Sequence, residues 1–415
     1  MSASLVGSEM CIRDRHKTDK IMENNILSLT VLRGLLDDDL FEALYAAKEN
    51  SDERYACSLY GDFLNTLYSK GAETDLTAYV CNAILYDENA FSMCCANGKT
   101  PSPFMVKAYL RDIKLILDYI AEPACGQDEF FAVGKPTPLF DLSLGDEAFI
   151  ARIKKFYKKY GCGMFIKYRA FGYENDELVP VENPSPITLA ELKGYEQEKS
   201  AIDSNIVSFL KGLPYGNMLL YGDRGTGKSS TIHAMLNKYW SRGLRIVELN
   251  KENMLDLPKI RQRLIDNPLK FIIFIDDLSL NESDDKISGL KAALEGSVAG
   301  NTSNTMIVAT SNRRHIVKEN FSDRENSVHV NDSLQEQLSL SDRFGITVLF
   351  SSTDKAQYLE IVKKLADDEG LQTDDEHIAL AERWALVKGG RSPRRARQFV
   401  DLAVSCRKRH AKIDF

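Results

Sequence analysis

None of the eight cysteines in this 415-residue chain forms a CxxC pair, and its six histidines show no metal-ligand spacing. A structural zinc site is therefore not expected. Cys57, Cys81, Cys125, Cys162 and Cys406 are scattered, and Cys94 and Cys95 are adjacent, a pattern that fits reduced thiols in a cytoplasmic protein. No apolar run approaches the ~18–20 residues that cross a bilayer, so no membrane partner is expected. Internal repeats and low-complexity tracts are also missing. With 53 Lys and Arg against 60 Asp and Glu, the net charge of −7 excludes a surface coated throughout for nucleic acid.

What is there is ordinary globular material. Hydrophobic residues make up 44% and charged residues 27%, enough to bury a real core. The length suggests two or three domains. Leu5–Arg15, which includes Cys11, has neither helical nor strand periodicity. It resembles a translated sequencing adapter, so residues 1–15 are set aside as non-native, with a natural start expected at Met22 or upstream.

From Asn25 to Leu117 the period is mostly helical. Val31, Leu32, Leu35, Leu36, Leu40, Leu44 and Tyr45 form one amphipathic stripe, and further stripes run through Tyr60–Tyr68, Ala78–Leu85 and Met105–Tyr119. A helix over Asp146–Tyr160 and a β-like segment over Gly163–Tyr173 follow. Pro180, Pro184 and Pro186 then mark a linker, which places an N-terminal, mainly helical domain at 22–180. Beyond it, short apolar runs at Asn217–Tyr221, Leu244–Leu249, Phe271–Ile275, Thr305–Ala309 and Thr347–Phe350 alternate with helical stretches. That pattern predicts an α/β domain at 181–351, a parallel sheet with helices on both faces. Three helical segments remain at 352–415.

The strongest motif is Gly222-Asp223-Arg224-Gly225-Thr226-Gly227-Lys228-Ser229-Ser230, between an apolar strand and a helix. It satisfies GxxxxGK[ST]: the glycines let successive N–H groups converge on phosphate oxygens, and the helix start adds its positive end. Lys228 is placed to reach the β- and γ-phosphates of ATP, and the Ser229 hydroxyl to ligate Mg2+. Forty-eight residues after Lys228, the strand Phe271–Ile275 ends in Asp276 and Asp277. Carboxylates there fall at the carboxyl edge of the sheet, where open α/β sheets bind ligands. Asp276 fits the metal side, and Asp277 stands where many ATPases carry a water-orienting Glu. Another strand end carries Thr310 to His315, with Asn312 among them, and Ser341 to Gly345, with Arg343, precedes the last strand.

With these segments in hand, Ile187–Ser405 resembles the AAA+ ATPases. Within them, LLYGDRGTGKSS and ATSNRRH are similar to bacterial proteins grouped as domain of unknown function 815. The resemblance implies a P-loop AAA+ core with a five-stranded parallel sheet and a helical lid over 352–415. It makes Asn312 sensor 1 and Arg343 an arginine finger offered in trans within a homo-oligomer. Ser392 is a good N-cap and Pro393 suits the first helical position, so Arg394 and Arg395 fall in a first turn. The resemblance makes Arg394 the lid arginine that meets phosphate, with Arg391 and Arg395 as alternatives. It also sets Leu192, Gly194 and Tyr195 against the adenine.

The implied activity is ATP hydrolysis that remodels or loads a macromolecular client. Alternatives are a DNA-linked initiator or helicase-loader-like ATPase and a non-hydrolysing nucleotide-gated scaffold. Lys388–Lys412 holds nine basic residues against Asp401 alone, a local +8 that offers a surface to nucleic acid.

Overall fold

A computed structural model of the chain describes residues 25–50, 53–122, 130–278, 280–281, 290, 294, 304–312, 317–318 and 343–413. The reading of residues 1–15 lies outside these, as do Arg313, Arg314 and His315. The chain divides into two compact units, Met1–Lys167 and Tyr168–Phe415.

The first unit is helical, as its periodicity predicts: α1 (Asp39–Glu49), α2 (Glu53–Ser69), α3 (Leu76–Tyr86), α4 (Ala90–Ala96), α5 (Pro103–Ala121), α6 (Asp146–Tyr160) and the single turn α7 (Met164–Lys167). Its core is rich in aromatic side chains. Phe91 stacks on Tyr109 at 4.0 Å between ring centroids, and the Tyr157 hydroxyl donates to the Ile84 carbonyl at 3.3 Å.

The stripe from Val31 to Tyr45 is not one helix. Ile26–Ser28 and Arg33–Asp37 are 3-10 turns, and α1 begins only after its N-cap Asp38. The cause is Asp112 on α5, fully buried, whose carboxylate accepts from the Thr30, Val31 and Leu32 amides at 2.8, 2.7 and 3.1 Å. Amides captured by a distant carboxylate point away from an intrahelical ladder, and hydrogen bonds to a charged group outweigh helix propensity there.

The second unit holds a seven-stranded sheet built from β1 (Ala170–Glu174), β2 (Glu177–Pro180), β3 (Met218–Gly222), β4 (Leu244–Glu248), β5 (Lys270–Ile275), β7 (Thr305–Ser311) and β9 (Ile346–Phe350), in the order β2-β1-β4-β5-β7-β3-β9. Two-residue strands β6 (Leu280–Asn281) and β8 (Val317–Lys318) pair separately. All neighbours in the large sheet are parallel except β1 and β2. The five expected strands are its core.

The other two correct the expected domain boundary. Asn175 and Asp176 both take positive φ, 50° and 62°, and close a two-residue hairpin that joins the sheet beside β4. Such a turn matches the twist of paired strands, and Asn and Asp tolerate it best after glycine. The segment Gly163–Tyr173 is therefore a helical turn followed by a strand. The boundary falls after Lys167, not after Pro180.

Alternate strand residues, among them Leu220, Ile246, Ile272, Phe274 and Val308, pack with Ile202, Ile206 and Phe209 of α8 (Glu196–Leu210) and Ile232, Met235 and Leu236 of α9 (Lys228–Tyr239). The intervening Leu219, Ile273 and Ile307 are at most 1% exposed, so the other face is covered too. A short α10 (Leu257–Leu264) follows β4. Three helices close the chain: α11 (Lys355–Asp368), α12 (Asp375–Val387) and α13 (Pro393–Lys408), with their own core of Tyr358, Val362, Phe399 and Val400. Ser392 caps α13 and Pro393 opens it, as read from the sequence.

Candidate functional site

Strand order builds the site. β7 lies between β3 and β5, so the carboxyl ends of these three strands are adjacent. The glycine-rich loop leaves β3, the two aspartates leave β5, and Thr310 to Asn312 end and follow β7. Register sets Ile275 beside Ala309 and Tyr221 beside Ser311, which brings Asp276 level with Thr310.

The loop runs from Gly222 to Gly227, the left-handed N-cap of α9. The chain passes so close to β9 that a Cβ on Gly222 would sit 2.0 Å from the Phe350 carbonyl oxygen. Gly225 touches the lid: its carbonyl accepts from the Arg394 amide at 3.1 Å, and a Cβ there would meet Ser392 Oγ at 3.1 Å. The lid thus grips the loop through backbone.

Lys228 is only 7% exposed. Its Nζ donates to the Gly222 and Asp223 carbonyls at 2.9 and 2.8 Å and to Asn312 Oδ1 at 3.3 Å. Burial lowers its pKa from the ordinary lysine value, while Asp223, Asp276 and Asp277 oppose that shift. Ser229 Oγ donates to Asp276 Oδ1 at 2.6 Å. Asp277 adopts φ +50°, and its Oδ1 accepts from Asn312 Nδ2 at 2.7 Å. Lys228, Asn312 and Asp277 therefore form one chain of hydrogen bonds.

Two cavities flank the loop. One, about 430 Å3, is lined by Lys228, Ser229, Asp276, Asp277, Asn312 and Arg394 among others, with Arg224, Gly225, Gly227 and Ser230 at the loop side. The other, about 190 Å3, is lined by Leu192, Gly194, Tyr195, Thr226, Ile361 and Leu365 among others. Its apolar wall from α11 and its backbone-rich floor suit a flat base, and the polar cavity suits phosphates. The Tyr195 hydroxyl donates to the Ser351 carbonyl at 2.5 Å, and its ring lies 5.1 Å from that of Phe350.

The oxygen donors Ser229 Oγ and Asp276 Oδ1, 2.6 Å apart, fit Mg2+, a hard cation usually held by one or two protein oxygens together with phosphates. No cluster of three or more His, Cys, Asp or Glu that could cage a metal occurs among the described residues.

The three candidate lid arginines separate, although Arg397 also lines the smaller cavity. Arg394 lines both cavities. Arg391 pairs with Glu382 at 2.8 Å, and Arg395 bonds Gln398 Oε1 at 2.9 Å. Arg343 lines neither cavity; it precedes Phe344 and β9. The local +8 is also partly spent internally: Arg397 pairs with Glu369 and Asp401, and Arg407 donates to the Gly370 and Glu369 carbonyls. Sequence reasoning missed Ile361, Leu365 and Thr310. For Thr310 a signal existed, since it opens the polar cluster at the strand end that also carries Asn312.

A family model described as a protein of unknown function, DUF815, matches residues 166–406. A replication factor C large subunit from Thermofilum pendens is 31% identical over 130 residues, covering 29% of this chain and 30% of that protein. Among solved structures, the RuvB Holliday junction branch migration motor of Thermotoga maritima aligns at 17% identity and TM-score 0.37, over 54% of this chain and 66% of that one. An ORC1 protein of Aeropyrum pernix in complex with DNA aligns at 16% identity and TM-score 0.39, over 54% and 64%. The chain thus spans less than two thirds of each relative's own length. More than half of it matches the family model, so the chain belongs to the DUF815 family.

Proposed function

We propose that this protein binds ATP with Mg2+, hydrolyses it, and uses the cycle to remodel or load a macromolecular client. One observation carries the reading: two hydrogen-bonded groups, Lys228–Asn312–Asp277 and Ser229–Asp276, meet at three adjacent strand ends. The loop amides and Lys228 hold the phosphates. Ser229 and Asp276 hold the metal, which when bound draws charge from the phosphate oxygens. Asp277, steadied by Asn312, takes the proton of the attacking water. Arg394 offsets transition-state charge from the lid, and Arg343 does so in trans from a neighbouring copy.

Phosphate release from ATP and Mg2+, measured across protein concentrations, tests this. Turnover that rises more than linearly with protein supports catalysis in trans. Tight ATP binding without turnover at any concentration would instead establish the nucleotide-gated scaffold. The DNA-linked alternative draws less support than the count of charges suggested, because Arg391, Arg395, Arg397 and Arg407 are engaged within the lid.

Removing the Lys228 charge by Lys228→Ala is expected to cost about 2–5 kcal/mol of ATP binding, at least about 30-fold in Kd, by calorimetry. An affinity equal to wild type would remove Lys228 from the phosphate site. The lid arginines give a paired test. Arg394→Ala is expected to lower ATP affinity by about 1.5–3 kcal/mol, the worth of a hydrogen bond to a charged group. Arg391→Ala removes only the Glu382 pair and is expected to change affinity by less than about 1 kcal/mol. The reverse ranking would hand the role to Arg391.

A further inference from the structure

We infer that Thr310 is a positioning residue that aims both Asp276 and Asp277 through a single hydroxyl; the inference rests on the ATPase reading above. Thr310 is 1% exposed on β7, the strand between the loop-bearing β3 and the aspartate-bearing β5. Its Oγ1 donates to Asp276 Oδ1 at 2.5 Å and accepts from the Asp277 amide at 2.9 Å. A hydroxyl has one proton to give and lone pairs to receive, so the two bonds coexist. Its carbonyl accepts from the Leu278 amide at 2.6 Å.

Each bond has a distinct consequence. Asp276 Oδ1 receives two donors, Ser229 Oγ and Thr310 Oγ1, which fixes the rotamer of the carboxylate that meets the metal. The peptide amides of residues 277 and 278 are both tied to Thr310, and between them Asp277 takes its left-handed φ of +50°. That conformation presents the Asp277 carboxylate to Asn312 at 2.7 Å. The neighbouring strand, not the strand that bears them, therefore sets the aim of the two acids. Left-handed backbone also favours Asp and Asn over longer side chains, which gives a physical reason for Asp where many ATPases have Glu.

Thr310→Val keeps shape and strand propensity but removes the donor and the acceptor. Thr310→Ser keeps the hydroxyl and loses only a methyl group. Three measurements separate positioning from packing: ATP affinity in EDTA, the Mg2+ titration of the ATP complex, and kcat. The Val variant is expected to bind ATP in EDTA as wild type does. Its Mg2+ affinity and kcat are each expected to fall about 10–100-fold, as for loss of other residues that orient metal ligands. The Ser variant should recover most of both. A Val variant with wild-type Mg2+ response and kcat overturns the inference, and so do Val and Ser variants equally impaired. Wild-type protein that binds no ATP would sink the ATPase reading and this inference together. A wild type that responds to Mg2+, alongside a Val variant that responds equally, sinks this inference alone.

Discussion

Asp277→Asn is expected to bind ATP like the wild type while phosphate release falls about 10²–10⁴-fold, the usual contribution of a positioned general base. The substitution suits the backbone, because Asn adopts a φ of +50° as readily as Asp. It also keeps an acceptor for Asn312 Nδ2, so the Lys228–Asn312–residue 277 chain stays closed. Only the capacity to take a proton is lost. Single-turnover phosphate release beside an independent affinity measurement reads the two effects separately. Wild-type turnover in Asp277→Asn would show that another group handles the proton. The same variant, holding ATP without splitting it, is the natural bait for the client. Asp277→Glu supplies a longer base but strains the left-handed turn, and is not expected to exceed the wild-type rate.

Gly222→Ala is expected to fail at an earlier step, in folding. The glycine sits at φ +132°, where other residues are strained, and its Cβ would lie 2.0 Å from the Phe350 carbonyl oxygen. Relief requires separating β3 from β9, which pair from Met218–Ile346 to Gly222–Phe350. It also disturbs the Asp223 amide, which donates to that same Phe350 carbonyl at 3.1 Å. Backbone strain of about 1–3 kcal/mol adds to the clash, so a loss beyond about 3 kcal/mol is expected. Gly227→Ala is the control: at φ +95° with nothing within 4 Å of its Cβ, it pays only the left-handed penalty of about 1–2 kcal/mol. Denaturant midpoints rank the two variants. Equal midpoints would show that the β3–β9 approach is looser than these distances imply.

Some of the fold and site is written in adjacent residues. GxxxxGK[ST] after an apolar strand carries its own geometry, because glycine conformation and a helix start are local properties. The Ser392 cap with Pro393, the strand ending in Asp276 and Asp277, and the periods of the lid helices are equally local. Each appears as read. Other features depend on residues far apart in the chain. Asp112 unwinds a stripe some 80 residues earlier by taking its amides. The hairpin of β1 and β2 belongs to the sheet because β1 finds β4, a pairing that three prolines in a row of polar residues concealed.

The sequence by itself determined the chemical inventory: a glycine-rich loop, two carboxylates, an asparagine and an arginine-rich helix start, since each lies in a run of neighbouring residues with a defined conformation. Tertiary structure alone decided how they converge. Strand order put Thr310 against both aspartates, and lid packing sent Arg391 to Glu382 while leaving Arg394 on the cavities. Strand neighbours and ion-pair partners are chosen by burial and register across long loops, and neither leaves a period in the chain.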